Sequence, residues 1–312
     1  DDLPEKNVEN RLNPNLSILT WNIRNGIKAK EQTGYIKSIG TPDILCLQEV
    51  DIDCMRSGNK NIALEYAEAL GYKYVAFTTA RVEIDEEDEK AHKAKFPNSR
   101  REVDIGRGGG VIGQAILSKF PIESIGCIKL HKLWEDYENV TQIRARVQPT
   151  TGGRVAQKTK IKIGDRTVTV YNAHFDNVSS PTGRLIQYGQ VAKDAENEEN
   201  PTIIVGDFNT CGHGLGNWFS EDHLYERFPY KRPVSALDPL QKTRKVGETE
   251  AEFWNRTELQ TTEGKRFEDP NGYKSPTVKM GPFKGKLDWT LFEDDKFMVI
   301  DQKTGPLGLS DH

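Results

Sequence analysis

No two cysteines in this 312-residue sequence stand at the spacing of a zinc ribbon or a thioredoxin-like motif. The four thiols, Cys46, Cys54, Cys127 and Cys211, are scattered, which excludes both classes. Long apolar runs are also missing: none approaches the roughly 20 residues that cross a bilayer. There is no basic excess, with 43 Lys and Arg against 47 Asp and Glu and a net charge of −4. A domain that holds nucleic acid by its bulk field is basic, so a phosphate-bearing ligand here would need a local site or a metal. No internal repeat and no linker-like break in composition divide the chain. Four N-x-S/T sequons, at Asn15, Asn139, Asn177 and Asn255, leave the compartment open, with intracellular favoured over secreted.

What is present is a series of short apolar runs separated by turns. "LSILTWNI" (16–23) and "TPDILCLQEV" have the length of buried strands, with a short helix between them around 31–39. In "NKNIALEYAEALGY" the apolar residues Ile62, Ala63, Tyr66, Ala67 and Leu70 fall at helical spacing, and Gly71 ends it. "YKYVAF" and "GGGVIGQAILSKFPIESI" read as strands, and "VTQIRARVQ" alternates like one. "TKIKIGDRTVTVYNAHF" predicts a hairpin turning at Gly164-Asp165. "PTGRLIQYGQVAKDAEN" predicts a helix, "PTIIVGDFNT" a strand, and "GKLDWTLFE" and "KFMVIDQ" the last two strands. Residues 1–15 read as a polar arm, 79–107 as a charged surface insertion and 212–285 as a long loop region. Many strands with few helices predict one α+β domain over 16–312, with two mainly antiparallel sheets face to face and helices outside.

Polar residues recur at the ends of the apolar strands: Asn22, Gln48-Glu49, His174, Asp207 with Asn209, and Asp311-His312, while Asp288 lies within one. Strand ends can converge on one rim of a core, where rigid scaffolds carry sites. Carboxylates and amide oxygens without thiolates suit a hard cation such as Mg²⁺ or Mn²⁺. Two histidines could then stabilise charge developing on a phosphate, and an Asp beside an Asn could orient water. Each residue alone has a plainer reading: a turn cap for Asn22, a surface ion pair for Glu49, a satisfied core histidine for His174.

The set "TWN", "LQEV", "NAHFD", "GDFN", "KLDW" and "SDH" resembles the endonuclease/exonuclease/phosphatase superfamily, the group of deoxyribonuclease I, over about residues 16–312. The resemblance implies a four-layer α/β/β/α sandwich. It implies that Glu49, Asn22 and Asp311 bind Mg²⁺ or Mn²⁺. It assigns the catalytic roles to His174, Asp207, Asn209, Asp288 and His312: Asp207 aligns or deprotonates water, Asn209 touches phosphate, His174 faces a phosphate oxygen, and His312, oriented by Asp288, stabilises the pentacovalent phosphorane. Arg184 and Gln187, in "GRLIQ", fit an R-x-x-Q pattern, mainly structural with a substrate-binding role held open. Gln114 stands where many members have Asn. Members continue past the histidine, so the resemblance implies that a short final strand beyond His312 is missing.

"KLDW" differs from the inositol phosphatases and "NAHFD" from the apurinic endonucleases, while the histidine followed by R-x-x-Q, with "GDFNT", resembles the tyrosyl-DNA phosphodiesterase, deoxyribonuclease I and sphingomyelinase side. The implied activity is metal-dependent hydrolysis of phosphodiesters, most simply of nucleic acid, by a monomer. The alternatives are a lipid or small-molecule phosphoester, as in sphingomyelinases, and a binding module without catalysis. Aromatics such as Trp218 and Tyr230 could stack on bases, though packing of the long loops is the plainer role.

Overall fold

The computed structural model describes residues 15–83, 109–131, 150–177, 181–210, 267–270, 276–280, 283–305, 308–310 and 312. The first sheet runs in the order β1 (Ile18–Asn22), β2 (Ile44–Ile52), β4 (Val111–Ser118), β3 (Tyr74–Glu83), β6 (Thr150–Gly152). The second runs β10 (Phe267–Glu268), β13 (Asp288–Glu293), β9 (Thr202–Asp207), β8 (Arg166–His174), β7 (Val155–Ile163), β5 (Ile122–Lys129). A small ribbon pairs β11 (Val278–Met280) with β12 (Phe283–Gly285). Each large sheet has one parallel pair, β1 with β2 and β8 with β9, and is otherwise antiparallel.

Alternation along the strands builds the layers. Ile44, Cys46, Ile116, Ile161, Val170, Ile203 and Val205 meet between the sheets. Leu45, Leu47, Ala115 and Leu117 turn outward, against Ile36 of α1 (Ala29–Ile39) and Ile62, Tyr66 and Leu70 of α2 (Ile62–Leu70). On the far side Tyr171, Ala173, Ile204 and Trp289 pack on Tyr188, Val191 and Ala195 of α3 (Pro181–Glu196). This is the four-layer sandwich that the resemblance implies. Each fully buried aliphatic side chain contributes about 1.5–3 kcal/mol, so these apolar layers hold the frame and the polar rim need not.

Local chemistry sets the element ends. Asn61 caps α2 through Leu64 N at 3.1 Å, and Gly71, at φ 76°, closes it in the left-handed region. The expected hairpin turns at Gly164-Asp165, between β7 and β8.

Two expectations change. Residues 79–83 are not insertion but the end of β3, because Arg81 pairs with Ile112 on one side and Gly152 on the other. Ladder hydrogen bonds on both edges outweigh local charge, and Arg56 pairs with both Asp51 and Glu83 there. "KFMVIDQ" is not a strand: among the described residues no strand pairs with it, and Met298 and Ile300 stand 79% and 69% exposed. Apolar composition supplies the propensity, but without a neighbouring edge there is no ladder. "VTQIRARVQ", residues 1–14 of the arm, 84–108 and 211–266 lie outside the described residues; inside the predicted loop region, β10, β11 and β12 form.

Candidate active site

The two parallel pairs bring their C-terminal ends to the same rim. In the first sheet Asn22 stands beside Gln48. In the second, His174 stands beside Asp207, and Asp288, at the start of antiparallel β13, faces Asp207 from the other side. Three consecutive strands thus carry His174, Asp207 and Asp288 at one level. Gly206 permits the close passage of β9 by β8. Its φ is 140°, and a Cβ there would sit 1.9 Å from the carbonyl oxygen of Ala173.

Asp207 is the hub. Its Oδ2 accepts from Asn22 Nδ2 at 2.9 Å, which ties the two sheets together. The Nε2 atoms of His174 and His312 approach the same oxygen at 3.4 and 3.5 Å. Oδ1 accepts from the backbone N–H of Asn209 at 2.8 Å, and Asn209, itself at φ 51°, donates from Nδ2 to Phe175 O at 3.0 Å. His312 Nδ1 lies 2.8 Å from Asp288 Oδ2. One ligand atom from each of Asp207, Asp288 and His312 falls within 4.8 Å of the others.

The segment carrying His312 is held from β1, from α1 and from the residue that precedes α1. Lys28 Nζ donates to Gly308 O at 3.2 Å, Gln32 Nε2 to Leu309 O at 3.1 Å and Ser310 Oγ to Asn22 O at 2.7 Å. Asp311 lies outside the described residues.

Burial pushes the Asp207 carboxyl up to about 6, against the pull of His312 and with a further push from Asp288. Burial, then the charges of Arg154, Arg81 and His312, hold the His174 imidazole well below its ordinary value. His174 is therefore neutral near pH 7, and its contact with Asp207 is that of a neutral ring rather than an ion pair. Those two arginines were not legible in the sequence. Arg81 lies near the end of β3 and Arg154 precedes β7, where its Nη2 donates to Asn177 Oδ1 at 3.2 Å. Its Nε is buried without a partner among the described residues.

Glu49 owes its aim to an irregularity. The β2–β4 register is regular to Leu47 opposite Ala115 and resumes at Val50 opposite Gly113. Leu47 and Val50 both face the helices, so the two residues between them turn to the inner side, as a bulge does. Glu49 has φ 53°, uncommon for a residue with a Cβ. Its carboxylate is half-buried and, among the described residues, has no hydrogen bond or ion pair. Its carboxylate and the amide oxygen of Asn22, which accepts from Arg24 N at 3.0 Å, are hard donors of the kind that suits Mg²⁺ or Mn²⁺.

Arg184 and Gln187, on α3, are 2% and 1% exposed. Gln187 Oε1 accepts from Asp176 N at 2.8 Å and its Nε2 donates to His131 O at 3.0 Å. Arg184 Nη1 reaches Asp176 O at 3.5 Å. That geometry supports the loop after His174. Gln114 is buried, donating to Val155 O at 2.8 Å.

Residues 19–312 match the Endonuclease/Exonuclease/phosphatase family. No curated protein matches the sequence. Among solved structures, the human Nocturnin catalytic domain with bound sulfate superposes with a TM-score of 0.52 at 15% identity, covering 95% of this chain and 90% of that one. ANGEL2, a 2′,3′-cyclic phosphatase in complex with adenosine-2′,3′-vanadate, gives 0.50 at 14% identity, covering 89% and 84%. Truncated Caenorhabditis elegans TDP2 gives 0.44 at 15% identity, covering 89% and 83%. At these identities the first two likenesses speak to the fold alone. The family match over most of the sequence speaks to descent: the chain belongs to the endonuclease/exonuclease/phosphatase family.

Proposed function

We propose that this family member is a Mg²⁺- or Mn²⁺-dependent phosphodiesterase that hydrolyses phosphodiester bonds of nucleic acid. One observation carries the reading. A single buried carboxylate, Asp207, is met by an amide from the opposite sheet and by two imidazoles, one of them backed by Asp288.

Each residue then has a task that follows from its surroundings. Asp207, raised to about 6, is ionised at neutral pH yet basic enough to take a proton from attacking water. Asn209, bonded to both Asp207 and Phe175, keeps that carboxylate in place and offers its amide to phosphate. The Asp288 carboxylate at His312 Nδ1 favours the imidazolium, which leaves Nε2–H to neutralise charge on a phosphoryl oxygen. His174, neutral, can donate from Nε2 without repelling its arginine neighbours. Arg81 and Arg154 give that side a positive field, which suits a polyanion and offsets the overall charge of −4. A divalent cation held by Glu49 and Asn22, with Asp311 as a further expected ligand, would supply Lewis-acid polarisation of the phosphoryl group.

The test is a panel with Mg²⁺ or Mn²⁺: single- and double-stranded DNA, RNA, a 5′-tyrosyl oligonucleotide, sphingomyelin and inositol phosphates. Metal-dependent cleavage of a nucleic-acid member, lost in Asp207→Asn, is expected. Cleavage of only sphingomyelin or inositol phosphates would move the substrate class to lipid or small-molecule esters. No hydrolysis of any member with either metal would favour a binding module.

A further inference from the structure

We propose that Asn172 is a positioning residue that reaches across from the second sheet to hold the bulge aiming Glu49. The inference rests on the metal-binding reading of Glu49. The two halves of the site stand on different sheets: Asn22 and Glu49 on the first, His174, Asp207 and Asp288 on the second. Between the sheets lies mostly aliphatic packing, which attracts without direction. Directional bonds must therefore set how the halves face each other and how the irregular stretch of β2 is held.

Asn172, fully buried on β8, supplies such bonds. Its Nδ2 donates to Leu47 O at 3.0 Å and to Ala115 O at 3.1 Å. These are the last paired residues before the β2–β4 register slips. Its Oδ1 accepts from Gln48 Nε2 at 2.7 Å, and Gln48 is the bulge residue adjoining Glu49. Gln48 Nε2 also reaches Thr20 Oγ1 on β1 at 3.0 Å. One carboxamide thus grips both strands at the last regular pair before the break, and the residue inside it. The same strand carries His174 two residues on, so the clamp also fixes the distance between halves.

The surrounding layer shows that the grip is specific. Gln157 and Thr159, on neighbouring β7, are as deeply buried, yet Gln157 Nε2 and Oε1 and Thr159 Oγ1 have no partner among the described residues. Polarity alone in this layer does not secure a bond to the bulge. Asn172 combines the position with two donors and an acceptor, which Asp, Ser or Leu cannot reproduce.

The experiment is Mn²⁺ binding by titration calorimetry on wild type, Glu49→Gln, Asn172→Asp, Asn172→Ser, the double variant Asn172→Ser/Glu49→Gln, and Thr159→Val. Residues supporting metal ligands typically change affinity by about 10- to 100-fold when replaced. We expect at least a tenfold weaker Mn²⁺ affinity in Asn172→Asp and Asn172→Ser, unchanged affinity in Thr159→Val, and no further loss when Asn172→Ser is added to Glu49→Gln. Folded Asn172 variants with wild-type affinity would overturn the inference, as would an equal loss in Thr159→Val. If both Asn172 variants fail to fold, Gln48→Met serves, and wild-type affinity there would overturn it too. Equal Mn²⁺ affinity in wild type and Glu49→Gln would instead overturn the metal reading, a separate outcome.

Discussion

His312 and Asp288 meet at 2.8 Å, imidazole Nδ1 to carboxylate Oδ2, although one is on a loop and the other opens β13. The pairing fixes which ring nitrogen is spent on orientation. Nε2 is left facing Asp207, where the reaction is proposed to occur.

That division of labour predicts unequal variants. Removing the ring in His312→Ala should lower kcat by about 10²–10⁴-fold, the usual worth of a positioned acid or base. Asp288→Asn keeps the shape and should also lower kcat, with little change in KM. Steady-state kinetics separates the two parameters, and an unchanged kcat in Asp288→Asn would remove it from the mechanism.

Asp207 predicts two pH effects. Activity should fall as pH drops through about 6, where this carboxyl takes up its proton, and a kcat/KM profile without an acidic limb near 6 would contradict that role. For stability, a folded value above the usual 3.8 means that the folded state binds the proton more tightly. This contribution is therefore present below about 4 and lost as pH rises to about 6. Asp207→Asn, inactive, should be more thermostable than wild type at pH 7 in EDTA, and the difference should shrink toward pH 4. Melting curves at the two pH values check the sign.

Arg154 predicts a substrate effect and a titration effect. Arg154→Ala should raise KM for an anionic substrate more than it lowers kcat, and the change should be smaller in high salt. Since Arg154 helps hold the His174 imidazole low, the same variant should raise that titration midpoint. Imidazole resonances followed by NMR across pH would show the shift or its absence.

Gly206→Ala should be severe. The new Cβ would sit 1.9 Å from Ala173 O, a backbone atom that cannot swing away. Overpacking of this kind costs about 1–3 kcal/mol even where side chains can adjust, so a loss of at least about 3 kcal/mol is expected by urea denaturation. A near-neutral result would mean that β8 and β9 can separate at the rim.

Much of the frame was legible in the sequence because it follows local periodicity. The strand of "LSILTWNI", the helix stopped by Gly71 and the hairpin at Gly164-Asp165 each need only their own residues. "KFMVIDQ" and residues 79–83 show the limit: one had strand composition without a partner, the other had charge but partners on both edges. Pairing is a property of neighbours and not of the segment. The site divides the same way. Asn22, Glu49, His174, Asp207, Asn209 and Asp288 stood out because polar groups ending apolar strands are conspicuous. Arg81, Arg154 and Asn172 did not, since an arginine near a turn or an asparagine within a strand has many ordinary uses.

By itself, the sequence determined which residues could do the chemistry and the alternation that buries one face of each strand. The tertiary structure decided how they are placed. Burial and His312 on opposite sides of the balance set Asp207 at about 6, the register beside Asp207 brought His174 and Asp288 to one level, and a slip of the β2 ladder turned Glu49 inward. The reason is range. Periodicity and turn preference act over a few residues, whereas desolvation, charge coupling and ladder register depend on groups tens to hundreds of residues apart that only folding makes neighbours.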